Sequence, residues 1–377
     1  MVQISVIIPL YKGKQYIEGL INCIERNQIN FHYGEIELIF INDDPEEKIE
    51  INQDSFISIY LYNSQINRGI QESRIQGCKM ANGEYILMLD QDDMIMDDCL
   101  NNQYENIKTQ NADVSVCRVL ENQKQIYNAT NKFVNIGDRE YMLHHINPIV
   151  SPGQALIRKE AIPAIWKNNI LLHNGSDDWL LWLGMLSERK RFVRNEKILY
   201  EHRIDGNNTS WNSVGMLMSE RDVLNVIKNE HAFEGEELEK LSELILNDEF
   251  RFIQSMEKYR DMFYLFGKWM SLESKEETIA DYIYSLGFQS LAVYGYGDIG
   301  IQLAKKIKHS RVHLVGAIDR NADYMDTDIP IFTFEKFQED VQLIVVTIKL
   351  PQNILTQLSK KATVMSIESI LEGWEQS

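Results

Sequence analysis

The sequence predicts two α/β domains joined by a helical segment, and three observations carry that reading. Short runs rich in Val and Ile alternate with helix-like stretches from residue 1 to about 120. The same alternation returns from about residue 278. Between them, over 212–277, apolar side chains recur at helical spacing and no proline intervenes. Alternating strands and helices build a mostly parallel sheet covered by helices, because each crossover between parallel strands needs a connection of helix length. The expected domains are therefore 1–211 and a smaller one at 278–377, with 212–277 as connector, a division that suits a chain of 377 residues.

Taken in order, Ile4–Pro9 reads as a buried strand, Gln15–Asn27 as a helix, and Glu37–Asn42 as a second buried strand. Gly69–Met80 is helix-like and Tyr85–Leu89 is a third strand that runs directly into acids. Residues 121–208 are less regular, with turn signals at Asn147-Pro148, Ser151-Pro152-Gly153 and Asp205-Gly206, and read as a substrate-binding half on the same sheet. The connector repeats Leu217, Leu224 and Ile227, then Leu241, Leu244 and Ile245, then Phe250 and Ile253. Its aromatic cluster, Phe250 to Trp269, suits a helix packed between two domains or against a second subunit, and mixed charges along it argue against docking on anionic lipid. In the tail, Leu291–Tyr294, Val312–Ile318 and Leu343–Thr347 are strands and Ile299–Ile307 a helix.

Composition narrows the function. With 56 acidic against 38 basic residues and a net charge of −18, the chain lacks the clustered cations that nucleic acid requires. The four cysteines form no C-x-x-C pair, so buried reduced thiols are expected and neither zinc nor disulfides. The run Ile4–Tyr11 is broken by Pro9 and is too short for a bilayer span or a signal peptide, which predicts a cytoplasmic protein with at most peripheral membrane association.

The densest chemistry is Asp90-Gln91-Asp92-Asp93, placed directly after the strand Tyr85–Leu89. Ligands of open α/β sheets bind beyond the carboxyl ends of strands, so these acids should face a cleft. Two carboxylates one residue apart can hold a hard divalent ion that bridges phosphate oxygens, although a solvated acidic turn capping the next helix explains the same residues. Two further strand ends, Pro9-Leu10-Tyr11 and Asn42-Asp43-Asp44, converge on the same edge. Downstream come Asn67-Arg68-Gly69, Ser73-Arg74, and His173-Asn174-Gly175-Ser176-Asp177-Asp178-Trp179.

Together these ordered motifs, over residues 1 to about 210, resemble a family 2 glycosyltransferase of the GT-A fold. The resemblance implies a mixed, mostly parallel nucleotide-sugar-binding sheet and an inverting transfer from a nucleoside diphosphate sugar, with a UDP-sugar as the expected donor. By position, Pro9, Tyr11 and Asp43 match the residues that hold base and ribose, and Arg74 the basic residue near the base. Asp90, Gln91 and Asp92 match the family's D-x-D, the first acid near the ribose and Asp92 on Mn²⁺ or Mg²⁺. Asp177-Asp178-Trp179 resembles Glu-Asp-Trp, with Asp178 as general base and Asp177 and Trp179 toward the acceptor, a saccharide or a lipid-linked or protein-linked glycan. A cap role for the two acids and a core role for Trp179 fit the same pattern. Tyr200–Ser210 resembles the loop Arg-x-His-Gly-Asn-Asn, with Arg203 toward the leaving diphosphate and Asp205 where the relatives have a metal-binding His. The chain departs from the pattern at Asn42 and at Asp44-Pro45. Such relatives work in polysaccharide or glycoconjugate assembly, and a homo-oligomer is compatible with all of this.

In the tail, Gly295-Tyr296-Gly297-Asp298-Ile299-Gly300 is a G-x-G-x-x-G between strand and helix, and Asp319 closes the next strand. The segment resembles small Rossmann-like domains of sugar-modifying enzymes, in which Gly295, Gly297, Gly300 and Asp319 would form a second nucleotide site. Asp298 puts a negative charge where a pyrophosphate would sit, so a docking module without ligand fits as well. Two further functions follow: a nucleotide- or NAD-linked enzyme acting through the tail, or a non-catalytic transferase-like scaffold.

Overall fold

The computed structural model describes residues 1–51, 54–121, 124–125, 133–203, 212–273, 277–325 and 327–377. It divides into two compact units, Met1–Phe250 and Arg251–Ser377.

The first unit is built on a mixed α/β sheet. Its strands are β1 (Val2–Leu10), β2 (Glu35–Asn42), β3 (Ser58–Asn63), β4 (Tyr85–Met88), β5 (Met94–Ile95), β6 (Val114–Glu121), β7 (Lys124–Gln125), β8 (Ala155–Arg158) and β9 (Phe192–His202). They lie in the order β3-β2-β1-β4-β8-β6-β9-β5, with β7 paired to β6. The half from β3 to β4 is parallel; β8 then runs antiparallel to both β4 and β6, while β9 is parallel to β6. Strands β1, β2 and β4 are nearly continuous apolar runs because helices cover both faces of them. Pro9, which donates no ladder hydrogen bond, falls where β1 has passed its last β4 partner at Ile7↔Met88.

The helices of this unit are α1 (Ile17–Asn30), α2 (Ile70–Met80), α3 (Cys99–Thr109), α4 (Arg139–Leu143), α5 (Ala164–Asn168), α6 (Asp177–Ser187) and α7 (Ser213–Asn229), followed by the long α8 (Gly235–Leu272). Helix α2 lies so close on β1 that a Cβ at Gly77 would come within 2.2 Å of Ile7. Helix α6 is apolar around its whole circumference, and accordingly Asp177 to Leu186 are all buried. Val223 and Ile227 of α7 and Leu241 and Ile245 of α8 join the core of this unit.

The second unit holds an all-parallel sheet of β10 (Ser290–Tyr294), β11 (His313–Ile318), β12 (Ile331–Phe332), β13 (Leu343–Val346) and β14 (Thr363–Ser366), ordered β12-β11-β10-β13-β14. Its helices are α9 (Ile279–Ser285), α10 (Asp298–Lys308), α11 (Gln352–Leu358) and α12 (Ile367–Glu375). Strand order reverses between β10 and β13, the Rossmann-like arrangement. Of the α8 aromatics, Trp269 is buried in this unit's core and stacks on Phe266, whereas Phe250, Tyr259, Phe263 and Tyr264 are exposed. Among the described residues no helix is long and apolar enough to cross a membrane. The four cysteines are buried free thiols.

Candidate active site

The carboxyl ends of β1, β2 and β4 open into a cavity of about 490 Å³ whose lining includes Tyr11, Asp43, Arg74, Asp92, Asp178 and His202. Pro9, Asp90, Gln91 and Asp177 also face it. The two acidic motifs, 87 residues apart between Asp90 and Asp177 by number, are joined by one side chain. Arg74, 3% exposed on α2, donates through Nη2 to Asp90 Oδ1 at 2.6 Å and through Nη1 to Asp177 Oδ2 at 2.8 Å. Burial alone would lower its pKa, but Asp177, Asp90 and Asp178 push it up, so the guanidinium stays charged.

Asp178 sits beside this pair as the second residue of α6. Its Oδ1 accepts from Trp179 N at 2.8 Å and its Oδ2 from Asn147 Nδ2 at 2.8 Å. Burial, then the charge of Asp177, pushes the carboxyl up to about 7, against the lowering effects of Arg74 and of the two hydrogen bonds. Neither acid caps the helix: the N-cap is Ser176, whose N–H donates to Ser219 Oγ of α7 at 2.9 Å. Ser219 in turn donates to His173 O at 2.8 Å, and Asp222 accepts from His173 N at 2.9 Å. Helix α7, read from sequence as connector, thus holds the loop that leads into the acid pair.

The D-x-D strand end is fastened from several sides. Gln91 pairs with the backbone of Tyr11, accepting from its N–H at 3.0 Å and donating to its carbonyl at 3.1 Å, so its amide fixes the loop after β1. A Cβ at Gly13 would lie 2.2 Å from that amide oxygen. Asp93, 1% exposed, accepts from Tyr200 Oη and from Arg203 N and lies beside His202 Nδ1, tying the end of β9 to the motif. Burial would lower the His202 pKa, but Asp93 pushes it up. Ser151 Oγ donates to Asp90 Oδ2 at 3.1 Å and lies 2.8 Å from Tyr200 Oη. Asp92 lines the cavity half-buried. Asp205 lies outside the described residues.

Asp43 already accepts three backbone contacts, from Arg68 N to both oxygens and from Gly69 N at 2.7 Å, and burial holds its carboxyl above the usual range. Trp179 is 1% exposed, a core ring under α6. Arg203 is half-exposed near Glu201.

Residues 5–166 match the family described as Glycosyl transferase family 2. This segment is a family 2 glycosyltransferase domain. Most of β1, strands β2 to β8 and the D-x-D lie within it, while α6 with Asp177 and Asp178 lies beyond it. Over 246 residues the chain is 28% identical to the minor teichoic acid biosynthesis protein GgaB of Bacillus subtilis, a match covering 60% of this chain and 27% of that protein. An uncharacterized glycosyltransferase of Haemophilus influenzae is 28% identical over 211 residues, 53% of this chain and 76% of the relative. Among solved structures, TarS 1–349 of S. aureus in complex with UDP-GlcNAc aligns over 66% of this chain and 73% of that one, with a TM-score of 0.48 and 19% identity. The chain thus spans little more than a quarter of the length of GgaB.

In the tail loop the acid that closes β11 accepts from backbone N–H groups. Asp319 Oδ2 accepts from Tyr296 N at 2.8 Å and Oδ1 from Asn321 N at 2.9 Å. Gly295 has φ +92°, and a Cβ at Gly300 would lie 2.0 Å from Gly295 O, so loop and helix touch there. A cavity of about 500 Å³ adjoins Gly297 and Gly300, and its acidic lining includes Glu257, Asp261, Asp298 and Glu368.

Proposed function

We propose that the first unit transfers a sugar, with inversion, from a nucleoside diphosphate sugar to a hydroxyl acceptor. The observation that carries this reading is the placement of Asp178, a buried carboxyl in the cavity shared with the D-x-D, which burial and the charge of Asp177 push up to about 7. A general base works best when its pKa lies near the operating pH. In the proposed step the acceptor O–H bond breaks and its proton passes to Asp178. The acceptor oxygen bonds to the anomeric carbon from the face opposite the diphosphate, and the bond from that carbon to the diphosphate oxygen breaks with its electron pair leaving on the diphosphate. The charge of Arg74 favours the ionised form of the base, and that of Asp177 opposes it. A UDP-sugar is the proposed donor, supported by Asp43, whose carboxylate retains capacity to accept a ring N–H. The name of GgaB makes wall-polymer assembly the proposed setting.

A divalent ion fits Asp92. Mg²⁺ takes one or two protein carboxylates and completes its shell with substrate phosphates and water, so no cage of protein ligands is needed, and among the described residues no group of three His, Cys, Asp or Glu could form one. Bound there, Mn²⁺ or Mg²⁺ would neutralise charge on the departing diphosphate. The test is nucleoside diphosphate release from a donor panel, with UDP-GlcNAc, UDP-glucose, UDP-galactose and GDP-mannose, in Mn²⁺ and in EDTA. Asp92→Asn should lower Mn²⁺-dependent turnover by about a hundredfold or more. Turnover at the wild-type rate in that variant contradicts the assignment.

A further inference from the structure

A carboxylate that takes a proton must be held in position both before and after it does so. Asp178 has few partners with which to do this. The groups facing it are the charges of Asp177 and Arg74, the N–H of Trp179 and the side-chain amide of Asn147. Trp179 N donates to Oδ1 and stays fixed in the helix; a backbone N–H can serve the carboxylate only as a donor. Asn147 differs, because a carboxamide carries a donor at one end and an acceptor at the other.

Four features of Asn147 set it apart from an ordinary turn residue. Its Nδ2 reaches Asp178 Oδ2 at 2.8 Å across 31 residues of sequence. Its φ is +32°, in the region that non-glycine residues rarely adopt. It also precedes Pro148, and the residue before a proline is sterically confined to extended backbone. Backbone held in so disfavoured a conformation concentrates at functional sites, where the surroundings impose it. Finally, its Oδ1 is buried with no hydrogen-bond partner, an acceptor left unused beside a carboxylate that cannot donate.

We infer that Asn147 is the positioning residue of Asp178: its amide donates to the ionised carboxylate, and after a half-turn presents Oδ1 to the O–H that forms when Asp178 has taken the acceptor's proton. The inference rests on Asp178 being the base. It explains the orphaned oxygen and the strained backbone together. Aspartate at this position would offer no donor, and an aliphatic residue neither end.

The test uses the whole chain and two readouts. In the first, the carboxyl band of Asp178 is followed by infrared difference spectroscopy during a pH titration, assigned by its loss in Asp178→Asn. Asn147→Gly accepts the positive φ and removes the amide, so the midpoint should rise by about one pH unit. In the second, the acid limb of kcat/KM for UDP release from the active donor should move upward in step, with kcat at pH 7 down about tenfold and the donor KM within about twofold. Asn147→Asp keeps the side-chain shape and should raise the midpoint further, which preserves the test where the glycine variant folds poorly. A midpoint and a kcat both at wild-type values in a folded variant overturn the inference. Full turnover by Asp178→Asn overturns the base reading instead, and the infrared titration still reports whether Asn147 holds the carboxyl.

Discussion

The carboxyl ends of β1, β2 and β4 lie in the parallel half of a mixed sheet and those of β10, β11 and β13 in an all-parallel one, yet the acids at these ends are used differently. In the first unit Asp90 and Asp177 meet on one buried guanidinium, and Asp178 is left facing a cavity with a raised pKa. In the second, the acid that closes β11 is taken up by the glycine loop itself, Asp319 accepting from Tyr296 N, while Thr347 donates to Gly295 O at 2.7 Å. Backbone N–H groups that donate to an acid after a strand leave it less capacity for a ligand. In the first sheet Asp90 is satisfied by side chains, Arg74 and Ser151, and Asp178 by the Asn147 amide and the N–H of Trp179, whereas Asp43 accepts from backbone N–H groups as Asp319 does.

The comparison is broken most directly at Arg74. Arg74→Met leaves Asp177 buried and Asp90 partly buried without their cation, and removing one partner of a buried ion pair costs about 3–5 kcal/mol. Denaturant unfolding followed on the first unit should show a loss of this size; a change below about 1 kcal/mol would mean that the arginine is not what holds the acids together. The tail offers a sharper contrast between two glycines of one motif. Gly300→Ala puts a methyl 2.0 Å from Gly295 O and should destabilise the second unit by about 1–3 kcal/mol. Gly297→Ala meets nothing within 4 Å and has φ −89°, so about 0.5 kcal/mol or less is expected and UDP release should be unchanged. A selective loss of donor affinity in Gly297→Ala would make the tail loop part of the donor site.

What could be read from the sequence follows from burial and from range. Strands β1, β2 and β4 were legible because helices on both faces make them unbroken apolar runs. Strand β3 was not, since it lies at the sheet edge with Tyr60 and Tyr62 exposed, and β8 is four residues inside an irregular stretch. Asp90, Asp92 and Asp178 stood out as ordered motifs, as did Arg74, but two residues that serve these acids did not. Asn147 and Ser151 were visible only as turn signals, because their partners lie 31 and 61 positions away. Helix α7 was read as connector for the same reason, its contacts to His173 and Ser176 being tertiary. Asp319 shows the converse: its spacing suited a ribose ligand, and the structure gives its oxygens to backbone N–H groups.

The central claim is that Asp178 is the base that accepts the acceptor's proton, and the pH dependence of catalysis by wild type and Asp178→Asn tests it most directly. A carboxyl raised to about 7 must lose its proton before it can act, so kcat/KM for UDP release should rise with pH and reach half its plateau near pH 7. In Asp178→Asn that limb should disappear and turnover should fall by about a hundredfold or more, while the donor still binds. Turnover at the wild-type rate in Asp178→Asn, with the same rise near pH 7, would contradict the account.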